Sequence, residues 1–262
     1  MLDKIIEHKR EEIIAIKKKY SISNLESFAN EQGGTRGFAN ALKSCMDKQE
    51  TTIIAEIKRA SPRTGVLCEN FEPIQIASTY MQAGATCLSI LTDVFFFKGS
   101  GAILDLVRRH CMLPVLRKDF ILDPYQIYES RAIGADCVLL IATVLPDDGL
   151  FKELFELSRQ LNMDVLVEVH DETDLNRALE LGDELDLIGI NNRNLSTFDI
   201  SLDTSIELSK RVPPNKLMIS ESGIRSAKDI ATLRQSGIYA YLIGESLMRS
   251  DDPGKALSEL LA

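Results

Sequence analysis

Five apolar runs in the chain end in charged or amide residues, and these line-end residues are where chemistry can be sought. Side chains alternate along an extended strand, so residues two apart share a face. In Ile54-Ala-Glu-Ile-Lys58 that alternation puts Ile54, Glu56 and Lys58 on one side and Ala55 and Ile57 on the other. Lys118 shares a face with Leu116, and Glu168 shares one with Leu166 and His170. Glu221 closes Leu217–Glu221, and Gly189-Ile-Asn191-Asn-Arg193 carries an amide and a guanidinium beyond its apolar stretch. Two lysines and three glutamates on inward faces form an acid–base set, because a charge among apolar neighbours is costly unless it is paired or used. Partial desolvation and a second lysine nearby are expected to lower the pKa of Lys118, which suits a general acid near neutral pH. For Glu56 and Lys58 a structural ion pair is the competing reading.

A second set reads as an anion site. Glu221 is followed by Ser222 and Gly223, and the last strand runs into Gly244-Glu-Ser246. Glycine N–H groups and a helix start after the last two strands of a parallel barrel are a common phosphate cradle. Gly223, Gly244 and Ser246 are the candidates. Glu168-x-His170 is a conceivable metal pair, but no further His or Cys stands at another strand end to complete a nitrogen- or sulfur-rich set. The lysines already supply positive charge, so no metal is expected.

The elements that must position these residues repeat along the chain. Strand candidates lie at Ile53–Lys58, Thr86–Leu91, Pro114–Lys118, Cys137–Ile141, Val165–Val169, Leu187–Asn191, Leu217–Glu221 and Tyr241–Gly244. Amphipathic stretches such as Pro73–Gln82, Pro124–Ile133, Asp147–Asn162 and Ser226–Ser236 fall between them. Eight strand–helix units predict an α/β fold, a (β/α)8 TIM barrel whose active site sits at the C-terminal strand ends. An open doubly wound sheet would place a glycine-rich fingerprint after an early strand, and Ile53–Lys58 has none. Asp123-Pro124, Asp252-Pro253 and Ser226-Ala-Lys-Asp229 read as helix starts; Gly84, Gly134 and Gly237 read as helix ends. Residues 1–52 precede the first unit. Leu2, Ile5, Ile6, Ile13 and Ile16 lie near one helical face, and a second helix is predicted at Phe38–Met46. This stretch is expected to pack on the barrel as an extension, making 1–262 a single domain.

Bulk properties exclude other classes. The net charge of −9 offers no basic stripe for nucleic acid, and Lys17-Lys18-Lys19 reads as a solvated helix end. An anionic ligand must therefore be held by local features. The five scattered cysteines contain no Cys-x-x-Cys pair, against a disulfide framework. With no secretory signal pattern and no span-length apolar run, a cytoplasmic location without membrane contact is expected.

The ordered segments Ile54-AEIKRASP-Pro62, Leu91-Thr-Asp with Phe97-Lys-Gly-Ser100, Pro114 to Glu129, Val167-Glu-Val, Gly189 to Leu195, Ile219-SESGI-Ile224 and Leu242-IGESLM-Met248 resemble the indole-3-glycerol-phosphate synthase family over almost the whole chain. The resemblance implies ring closure of 1-(2-carboxyphenylamino)-1-deoxyribulose 5-phosphate, with loss of carbon dioxide and water and without a cofactor. It implies Lys118 as general acid at the ribulose carbonyl and Lys58 at the anionic end of the substrate. Glu168 and Glu56 become the acid–base carboxylates, their division of labour open; Asn191 and Glu221 orient hydroxyls and lysines. Ser61, Arg193 and Ser222 are implied to line the site, Gly223, Gly244 and Ser246 to hold phosphate, and the extension to help cover the anthranilate ring. Arg63 and Cys68 depart from the family pattern. A monomer is expected, with weak association with other enzymes of tryptophan synthesis left open. A Schiff-base aldolase, a phosphosugar isomerase and a phosphometabolite sensor on the same barrel are the competing readings.

Overall fold

The computed structural model describes every residue except 195, 196 and 198. Leu195, which ends one of the family-like segments, thus lies outside the described residues. Eight parallel strands close into a barrel: β1 (Thr52–Ile57), β2 (Cys87–Leu91), β3 (Val115–Lys118), β4 (Cys137–Ile141), β5 (Asp164–Val169), β6 (Leu187–Asn191), β7 (Leu217–Glu221) and β8 (Ala240–Ile243). Each pairs with its chain neighbours and β8 returns to β1, so Ile54 faces Cys87 on one side and Leu242 on the other. The strands agree with the sequence reading to within a residue or two at each end.

Strand alternation divides the apolar residues into two cores. Outward side chains such as Ile53, Leu88, Val138, Val167 and Ile190 pack under the surrounding helices. Inward ones such as Ile54, Leu116, Leu139, Leu166 and Ile219 fill the barrel. The helices after successive strands are Pro73–Gln82, Gly101–His110, Pro124–Ala132, Asp148–Gln160, Glu172–Leu179, Asp203–Ser209 and Ala227–Arg234; Glu245–Met248 and Pro253–Leu261 follow the last strand. Asp123, Asp252 and Ser226 cap their helices as read from sequence. Gly84, Gly134 and Gly237 take the left-handed conformation that ends a helix. None of the helices among the described residues is long and apolar enough to cross a membrane.

The first fifty residues hold three helices, not two: α1 (Leu2–Lys17), α2 (Ile22–Glu31) and α3 (Phe38–Met46). The sequence reading missed α2, which a Ser21–Asn24 capping box starts and which packs on the helix Pro124–Ala132. α3 sits under the barrel. Its Phe38 and Leu42 are wholly buried and join the inward side chains, so α3 stoppers the N-terminal end of the barrel. α1 lies at the other end, where Leu2 and Ile5 reach the mouth. Its buried face carries Ile5 and Ile13 but also Lys9, which a hydrophobic pattern does not mark. Cys87, Cys111 and Cys137 are buried, and all five cysteines are free thiols.

Candidate active site

The C-terminal strand ends surround a cavity of about 510 Å³, lined by every candidate catalytic and phosphate-binding residue: Glu56, Lys58 and Ser61; Lys118 and Glu168; Asn191 and Arg193; Glu221, Ser222 and Gly223; Gly244 and Ser246. His170 lies outside the lining, behind Glu168. Barrel closure explains the convergence. Lys118, Glu168 and Glu221 come from β3, β5 and β7, and these alternate strands point their last inward side chains into the same layer.

Lys118 is the hub. Its ammonium donates to Glu221 in a very close contact and lies 3.4 Å from Oε2 of Glu168. The other oxygen of Glu168 accepts from Nδ2 of Asn191 at 3.0 Å and has Nε2 of His170 at 3.3 Å. Lys58 donates to Glu56 at 2.5 Å, a pair at the side of the hub. Asn191 in turn accepts from the backbone N–H of Arg193 at 3.0 Å, which fixes its amide.

This geometry overturns one expectation. Burial does pull the pKa of Lys118 down, but Glu221, Glu168 and Glu56 outweigh it, and the pKa stands above its ordinary value. The expected lowering rests on a second lysine nearby, whereas three carboxylates surround Lys118 and Lys58 is engaged by Glu56. The carboxylates divide accordingly. Burial pushes Glu56 up, yet Lys58 and Lys118 hold it below the usual range. Glu168 is likewise held down, against its burial, by Lys118 and His170. Glu221 moves the other way: burial and the neighbouring Glu168 raise it more than Lys118 lowers it. His170, though its partial burial pulls the pKa down, is pushed up to about 9 by Asp174 and Glu168. Its Nδ1 faces Asp174 and the hydroxyl of Thr143, so it serves as a cationic neighbour of Glu168.

The rim after β7 and β8 has a different character. Ser222 and Gly223 are consecutive left-handed residues, at φ 66° and 84°. That is costly for the serine, and Asn192 holds it there, donating to the Ser222 carbonyl at 3.0 Å and to the Ser220 hydroxyl at 2.9 Å. Ser246 donates to the Ile224 carbonyl at 3.2 Å, tying the two rim loops together. Arg193 reaches Glu245 at 3.6 Å, and Arg225 and Arg249 also border this end. Ser61 meets Thr64 at 2.6 Å within a small antiparallel hairpin, Ala60–Ser61 with Gly65–Val66, and Arg63 at its tip lines the cavity.

Sequence reasoning missed three features. The opposite wall is apolar, formed by Phe97, Phe120, Leu139, Ile141, Leu2 and Ile5; single apolar residues carry no chemical signal in a sequence. Asn192 gives no signal because alternation puts it on the outward face. Gly189 and Gly244 proved to be room for carboxylates: a Cβ at Gly189 would strike Glu221, and one at Gly244 would strike Glu56. A period-two alternation with glycine at the inward position was the available signal for both.

The sequence model of a family described as "Indole-3-glycerol phosphate synthase" matches residues 2–260. A protein of that name from Acidovorax sp. strain JS42 is 50% identical over 266 residues, covering 100% of this chain and 99% of the relative. Another, from Polaromonas naphthalenivorans strain CJ2, is 50% identical over 260 residues, covering 99% and 98%. Among solved structures, a 3-hexulose-6-phosphate synthase aligns with TM-score 0.61 at 16% identity, over 80% of this chain and 98% of the other. The 3-hexulose-6-phosphate synthase of Salmonella typhimurium aligns with TM-score 0.64 at 13% identity, over 80% and 96%. At those identities the structural likeness speaks for the barrel fold alone.

Proposed function

The chain belongs to the indole-3-glycerol phosphate synthase family, and from that premise we propose how its own residues carry out the reaction. Membership makes it a carboxy-lyase of tryptophan biosynthesis that forms indole-3-glycerol phosphate. Its substrate is 1-(2-carboxyphenylamino)-1-deoxyribulose 5-phosphate. The cavity suits that shape, with an apolar wall for the anthranilate ring at one end and the Ser222–Gly223 and Gly244–Ser246 rim for the phosphate at the other.

The hub carries the proposal, because Lys118 is the cation at which the reacting carbonyl can be placed. Attack of the aromatic carbon on that carbonyl creates alkoxide character, and a fixed ammonium stabilises it where it forms. Its raised pKa keeps Lys118 charged, so electrostatic stabilisation with proton donation fits better than a poised weak acid. Loss of carbon dioxide then restores aromaticity. Lys58 holds the anionic end of the substrate and donates the proton with which hydroxide leaves as water. Glu168 and Glu56, both held ionised, are the carboxylates able to take up the remaining ring proton. Glu221 and Asn191 fix Lys118 and Glu168, and Ser61 and Arg193 line the cleft. We take residues 1–262 as one working unit, a monomer acting in the cytoplasm without a cofactor.

A Schiff-base aldolase needs a neutral amine, which the three carboxylates around Lys118 oppose; borohydride with substrate should trap no adduct. The deciding assay mixes purified protein with the carboxyphenylamino-deoxyribulose phosphate and follows indole-product emission. Emission should appear with wild-type protein and fall on the order of 10²–10⁴-fold in Lys118→Met. A folded wild-type protein that binds the substrate silently would end the assigned reaction, and a variant within tenfold of wild type would end the role of Lys118.

A further inference from the structure

Lys9 is 2% exposed, and none of the chemistry above uses it. Its ammonium lies 2.7 Å from Glu12, 3.1 Å from Asp93 and 2.9 Å from Asp119. The two aspartates are buried and belong to different loops of the mouth. Asp93, just beyond β2, accepts through Oδ1 from the N–H groups of Phe96 and Phe97 at 2.8 and 3.2 Å. Asp119, next to Lys118, accepts through Oδ1 from the N–H of Phe120 at 2.8 Å. Phe97 and Phe120 face each other across 6.3 Å in the apolar wall of the cavity. Ile5, one turn before Lys9 on α1, completes that wall. One buried cation thus joins the three segments that form the apolar end of the site.

A buried ion pair is a poor source of net stability, since well-packed apolar side chains often do as well. What it supplies is fixed geometry, and here the fixed parts are walls of the active site. Oδ2 of Asp93 makes no hydrogen bond; Lys9 is the group that compensates its charge. Without Lys9 that oxygen stands bare at a buried site, and its loop must shift to bring it to water.

We propose that Lys9 is a positioning residue: it locks the Phe97 and Phe120 loops to the N-terminal helix and so sets recognition of the aromatic end of the substrate. The proposal rests on the reading of that wall as the anthranilate side. It predicts a split between the two ends of the site. In Lys9→Met, competitive inhibition by an N-alkylated anthranilate lacking phosphate should weaken about tenfold or more, with KM rising alongside. Inhibition by inorganic phosphate should stay within about twofold, because the rim after β7 and β8 does not touch the Lys9 cluster. Asp93→Asn is the second variant. It keeps the oxygen that serves Phe96 and Phe97 and replaces the charged acceptor facing Lys9 by an uncharged amide NH2, so it breaks the same tie and reports even if Lys9→Met does not fold. The same split in Asp93→Asn supports the proposal. Equal weakening of both inhibitors, or of neither, in whichever variants fold overturns it. If wild-type protein binds no anthranilate while still binding phosphate, the reading of the wall falls and the proposal with it; if wild type binds and the variants match it, only the proposal falls.

Discussion

Gly244 carries a steric demand that its place in the sequence does not suggest. Its place after the last strand suggests a backbone that approaches phosphate, yet its missing side chain faces Glu56, and Gly189 stands likewise against Glu221. Gly244→Ala should therefore push Glu56 away from its 2.5 Å pairing with Lys58. Displacement of a reacting group by an ångström costs on the order of 10²-fold. We expect a loss of that size in kcat with phosphate inhibition little changed, and steady-state kinetics with phosphate as inhibitor read both. A rise in KM alone would mean that the added methyl disturbs the phosphate rim and not Glu56. Glu56, Lys58, Lys118, Glu168 and Glu221 were legible because each follows an alternating apolar run. The direction of the Lys118 pKa was not. It depends on Glu168 and Glu221, which are 50 and 103 positions away along the chain. Only the closed barrel order brings them to one lysine.

The eight strands and most helices were legible for a related reason: each is announced locally, by alternation, a capping aspartate or a terminal glycine. Elements without such signals were lost. The hairpin strands Ala60–Ser61 and Gly65–Val66 are too short for a period, and the capping box of α2 uses Asn24 where a glutamate or glutamine would advertise it. For α3 the helix was legible and its place was not, because an apolar face says that a helix is buried without saying where. It is buried under the barrel, with Phe38 and Leu42 among the inward side chains. Phe38→Ala should cost about 3–5 kcal/mol, lowering Tm by roughly 10 °C. Since α3 stoppers the end opposite Lys118, kcat at 25 °C should hold. Thermal melts beside activity assays check this, and an unchanged Tm would mean that the stopper carries little of the stability.

At the scale of the molecule, the same N-terminal extension serves both ends of the barrel, and the two services should separate. α1 works at the mouth, through Ile5 on the apolar wall and Lys9 between Asp93 and Asp119. Both aspartates would regain water if α1 were gone, so the barrel can survive its loss while the wall cannot keep its shape. α3 works at the foot, where each large buried side chain is worth about 2–5 kcal/mol. Losing Phe38 and Leu42 together approaches the whole stability of a typical domain, about 5–15 kcal/mol. Removal of residues 1–20 should leave a chain that melts cooperatively but turns over substrate poorly, with phosphate inhibition retained. Removal of residues 1–47 should abolish the cooperative transition, and circular dichroism melts of the two truncations distinguish the cases. A cooperative melt near the wild-type temperature after the longer deletion would show that the barrel closes its own foot. In that event the extension would matter only at the mouth, and stability and substrate recognition would belong to separate parts of the chain.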